Sequence, residues 1–87
     1  MEGHSVISPD VLGRYAADAA AEVPGVSAVG GAKAVGDEIE VHLHVAWGAT
    51  IPDVAAAVQE RVSDYLHRMA DTRPAAVTVY VDEIARP

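Results

Sequence analysis

Cysteine is absent from the 87 residues, which excludes disulfides, thiolate metal sites and cysteine nucleophiles together. Phenylalanine is absent as well, so a core has to be built from small aliphatic side chains with Trp47 and three tyrosines. Positive charge is scarce. Thirteen acidic residues face six basic ones for a net charge of -7, and Arg14, Lys33, Arg61, Arg68, Arg73 and Arg86 are scattered without a cluster. Such a surface repels phosphate backbones and anionic headgroups, so neither nucleic acid nor a lipid surface is an expected partner. No apolar run approaches the roughly 20 residues that span a bilayer, which argues against direct membrane insertion. The opening Met1-Glu2-Gly3-His4-Ser5 has neither a basic nor an apolar signal region, so the expected location is the cytoplasm.

The apolar content is 51%, enough for one core, and the length suits one domain over residues 1–87. A chain of this size buries only roughly 60–65% of its unfolded surface, which leaves little room for a deep pocket.

Local signals give the element order. Ser8-Pro9-Asp10 is a helix start: a hydroxyl to cap free N–H groups, a ring with helical φ already set, and an anion at the positive dipole end. Leu12, Tyr15, Ala16, Ala19, Ala20 and Val23 follow at helical spacing, and Pro24-Gly25 stops the helix, predicted at about 9–22. Residues 26–35 read as a strand with Gly30-Gly31 marking a bulge or a close backbone approach. Gly36-Asp37 is a two-residue hairpin turn. Ile39 to Trp47 then alternates without interruption, placing Trp47 with Ile39, Val41, Leu43 and Val45 on the buried side. Thr50-Ile51-Pro52-Asp53 opens a second helix with a capping-box-like arrangement, carrying a stripe of Val54, Val58, Val62, Tyr65, Leu66 and Met69. On its outer side Asp64 and Arg68 form an i,i+4 pair, and Asp71 to Pro74 ends it. Ala76 to Ile84 alternates again.

These elements predict an α+β two-layer sandwich in the order αββαβ, a three-stranded sheet with both helices on its valine-rich face. The opposite face, with Glu40, His42, His44, Thr78 and Tyr80, is then open. Exposed aromatic and polar residues of this kind suit a protein-binding surface, and an unpaired edge strand offers a second route to association.

Catalysis finds no support. None of the four serines lies in G-x-S-x-G, Ser8 is occupied as a cap, and the carboxylates are dispersed. Gly30-Gly31 lacks the spacing of a phosphate loop, and no G-x-x-G clamp for RNA is present. The one cluster with metal-ligand chemistry is His42 and His44, on one side of a strand and about 7 Å apart, with Glu40 beside them. A structural metal site takes four ligands, and no second pair is near, so no cofactor is expected. The alternative reading is a small metal- or pH-sensing module using His42 and His44, imidazole being the side chain that titrates in the physiological range.

Several ordered fragments resemble one family. They are Gly3 and Ile7-Ser8-Pro9-Asp10-Val11-Leu12, then Ala19-Ala20 with Glu22-Val23-Pro24-Gly25-Val26, then Val41-x-Leu43-x-Val45-x-Trp47-Gly48. Ile51-Pro52-x-Val54-Ala55, Val58-Gln59 and Val62 continue the pattern, and Val77-x-Val79-x-Val81-x-x-Ile84-x-x-Pro87 closes it. Together they resemble the alkaline shock protein family, the Gls-type envelope stress response proteins of mainly Gram-positive bacteria. The resemblance implies a cytoplasmic, non-enzymatic protein that self-associates and binds a membrane-anchored partner. It carries no catalytic or ligand residues to transfer. Residues 69–74 lack the usual Thr-Gly-Leu-like continuation, and many members carry further polar segments, which implies a trimmed paralogue with its own partner.

Overall fold

A computed structural model describes residues 7–86. Helix α1 (Pro9–Ala21) begins where the sequence places it, with the Ser8 hydroxyl accepting a 3.3 Å hydrogen bond from the Val11 N–H. It runs into strand β1 (Val26–Val35), the turn at Gly36-Asp37 and strand β2 (Glu38–Ala46). Helix α2 (Ile51–Ala70) then carries the chain back to strand β3 (Ala76–Ala85).

The sheet order is β1-β2-β3, with β1 antiparallel and β3 parallel to the central β2. A parallel neighbour cannot be reached by a tight turn, and the 20-residue α2 supplies the crossover. Both helices lie on one face of the sheet. The core gathers Ala16, Ala19, Ala20 and Val23 from the first helical segment, Ile39, Val41, Leu43 and Val45 from β2, and Val54, Val58, Val62 and Leu66 from α2. Leu43 and Leu66 are the largest fully buried side chains. Burying each is worth roughly 1.5–3 kcal/mol, so β2 and α2 anchor the fold. Val77, Val79 and Val81 of β3 are only partly covered.

The small residues of α1 allow a close approach to β1. Gly13 is buried, and a Cβ there would stand 2.7 Å from the Ala32 carbonyl oxygen. Tyr15 and Tyr65 meet edge-to-face across the helix pair, with centroids 5.9 Å apart. Gly25 adopts φ +95°, a left-handed conformation that suits glycine and turns α1 into β1. At the far end of α2, Asp71 takes the left-handed cap conformation, and its N–H bonds the His67 carbonyl at 3.1 Å. The Gln59 amide donates to the Val77 carbonyl at 3.1 Å, tying α2 to the start of β3.

Four local expectations are corrected. Trp47 is 59% exposed rather than buried: β2 ends at Ala46, and Gly48 at φ +88° turns the chain out of the sheet plane. Met69, expected on the buried stripe, is exposed in the last turn of α2. Thr50 is the N-cap of α2, but its side chain makes no capping hydrogen bond. The ion pairs among the described residues are His42–Asp82, His44–Glu83 and Arg61–Glu22. The expected Asp64–Arg68 pair is not among them.

Candidate functional site: the open sheet face

Because side chains alternate along a strand, burying Ile39, Val41, Leu43 and Val45 sends Glu40, His42 and His44 to the other face. Register then decides their neighbours. Glu40 lies opposite Lys33 on β1 and beside Thr78 on β3. His42 lies beside Tyr80, and the two rings stack with centroids 4.8 Å apart and planes 13° from parallel. Thus Glu40, His42, His44, Thr78 and Tyr80 share one face, with His42 and Tyr80 in direct contact.

Two irregularities shape this face. On β1 the register slips between Val29 and Gly31, so the bulge expected at Gly30-Gly31 is present. A Cβ at Gly30 would lie 3.7 Å from His44 Nε2 and 3.8 Å from His42 Cβ, and Gly31 faces open space. The glycine pair therefore places no side chain over the imidazoles from the β1 side. On β3 the register slips beside His44, so that Leu43 pairs with Val81 but His44 pairs with Glu83. Asp82 is the extra residue, and both acids meet the histidines.

His42 Nδ1 is 2.8 Å from Asp82 Oδ2. A carboxylate accepts, so Nδ1 carries the proton and donates, which leaves Nε2 available to a partner group. His44 Nδ1 is 3.5 Å from Glu83 Oε2, an ion-pair distance when the imidazole is charged. The His42 and His44 side chains are 38% and 36% exposed. The hydroxyl of Ser27, at a second slip in β1, donates to the His44 carbonyl at 3.0 Å.

This arrangement favours contact over coordination. Each imidazole is directed to its own carboxylate, and among the described residues no group of three or more His, Cys, Asp or Glu is placed to hold a metal ion. Gly3, His4 and Pro87, named in the sequence reading, lie outside the described residues. Sequence reasoning does not single out Asp82 and Glu83. Alternation puts Asp82 on the side of Thr78 and Tyr80 but does not pair it with His42, and Glu83 is signalled only as an acid that breaks the alternation.

No described helix is long and apolar enough to cross a membrane. No curated protein and no solved structure matches the chain. A family model, by contrast, matches residues 34–86, the stretch that supplies β2, α2, β3 and thus all of Glu40, His42, His44, Thr78 and Tyr80. With that match over more than half its length, the chain belongs to the alkaline shock protein family, a family of cell envelope-related function.

Proposed function

We propose that this chain is a non-catalytic protein-binding module of the cell envelope system, acting from the cytoplasmic side through the open face of its sheet. The observation that carries the reading is the His42–Tyr80 stack, half-exposed and left uncovered by Gly30-Gly31. Aromatic rings with hydrogen-bonding edges are enriched where proteins meet, because they bury large area with little loss of side-chain freedom. The module associates with further copies of itself and with a membrane-anchored relative, which would hold it near the membrane without insertion.

The test is a capture of the tagged chain from detergent-solubilised membranes of its host, beside size-exclusion chromatography of the purified protein. Wild-type chain is expected to recover a membrane protein and to elute larger than a monomer. Tyr80→Ala with His44→Ala is expected to lose both while its circular dichroism spectrum stays unchanged. Unaltered association in that double variant would remove the open face from the account.

A further inference from the structure

The carboxyl ends of β2 and β3 and the start of α2 enclose a shallow groove of about 470 Å³, apart from the His42–Tyr80 stack. Trp47, Ile51, Val81 and Ile84 form its apolar walls, with Asp82, Glu83 and Arg86 at the rim. Trp47 and Ile84 are 59% and 42% exposed. In a chain whose core depends on small aliphatic residues, the sole tryptophan is thus displayed rather than buried.

Three features of the groove describe what would fill it. The Arg86 guanidinium lies 5.6 Å from the Trp47 ring centroid, so the ring already serves as a platform for a cation. The bulge at Asp82 brings two carboxylates beside it, their side chains 50% and 65% exposed. β3 is also the margin of the sheet, and no described strand pairs with its outer side. A long cationic side chain could lay its stem on Val81 and Ile84 and its head between ring and carboxylates, while its backbone paired with the β3 edge.

We infer that this groove docks an extended, basic segment of a partner protein, with an arginine side chain of that segment against Trp47. Charge selects this occupant over a second copy. Among the described residues a second copy offers this groove no extended run of basic side chains: Arg14, Arg61 and Arg68 lie on helices, and Lys33 stands alone on β1. The inference rests on the binding-module reading and shares Asp82 and Glu83 with the histidine face, but its readout is Trp47 rather than Tyr80 and His44, so the two can fail separately.

Trp47, the only tryptophan, is the reporter. The whole chain is titrated with a synthetic peptide of alternating valine and arginine, and with one carrying glutamate in place of arginine. The arginine peptide is expected to change Trp47 fluorescence saturably, more weakly as salt is raised, and the glutamate peptide to leave it unchanged. Asp82→Asn with Glu83→Gln is expected to weaken binding about tenfold, the loss of roughly two charged contacts. Glu60→Gln, an exposed acid of α2, should bind as wild type. Circular dichroism of each variant reports folding. Equal response to both peptides, no saturable response, or undiminished affinity in the double variant overturns the inference. A flat titration alongside loss of association in the Tyr80 and His44 variant would overturn it while leaving the open-face function standing.

Discussion

Gly13 poses a contest between two energies of opposite sign. In a helix interior, alanine is favoured over glycine by about 1 kcal/mol because glycine has more backbone freedom to lose. At this position a methyl group would stand 2.7 Å from the Ala32 carbonyl oxygen, and 3.3 Å from both the Ala32 carbonyl carbon and Lys33 Cα. All three are backbone atoms of a paired strand, so none can rotate away as a flexible side chain would. Overpacking of this kind costs about 1–3 kcal/mol, and contact with a fixed carbonyl belongs in the upper half of that range. Gly13→Ala is therefore expected to lose about 1–2 kcal/mol net. At about 4–8 °C per kcal/mol for a domain of this size, the melting temperature should fall by roughly 4–16 °C. Urea unfolding followed by circular dichroism measures the change, with the slope m checked for constancy so that the midpoint shift reports stability. Gly13→Val should be worse than Gly13→Ala, since its larger β-branched side chain meets the same atoms. A Gly13→Ala protein more stable than wild type would mean that only the propensity term operates. The close seating of α1 on β1 would then be refuted.

Two further substitutions probe the core and the first connection. Leu43→Ala removes a fully buried side chain from the central strand and is expected to cost about 2–5 kcal/mol. That is a large share of the roughly 4–13 kcal/mol expected for the whole chain, so thermal melts should show a midpoint lowered by roughly 8–40 °C. Gly25→Ala combines a left-handed backbone at φ +95° with a Cβ 2.7 Å from the buried Val54 side chain. Together these should lose about 2–4 kcal/mol in urea unfolding, and a loss below about 1 kcal/mol would show that the turn relaxes.

Much of this architecture can be read from the chain because local and tertiary preferences agree. The Ser8-Pro9-Asp10 start and the Val54, Val58, Val62, Leu66 stripe each specify one outcome. The alternation from Ile39 to Val45 fixes which face holds His42 and His44. Trp47 is misplaced when alternation is extended past the last paired residue, where Gly48 redirects the chain. The partners of the histidines are hidden for a different reason. Asp82 and Glu83 reach them through a one-residue slip between strands far apart in sequence, and no periodicity within β3 can report the register of β2. Gly13 does leave a signal: a glycine inside an amphipathic helix weakens it unless something must come close.

The parallel pairing of β2 with β3 also orders events in time. The β1–β2 hairpin is closed by a two-residue turn and can form locally, on the order of 1–10 μs for an isolated hairpin. β3 cannot join until α2 has folded back across the sheet, a non-local closure that slows folding. Tyr80, Asp82 and Glu83 all ride on that late strand. The imidazoles are therefore presented first without their stacking ring or their carboxylates, and they acquire both only when the last strand docks. A chain still being synthesised, or one opened at β3 alone, would carry His42 and His44 on an intact hairpin and yet lack the assembled surface.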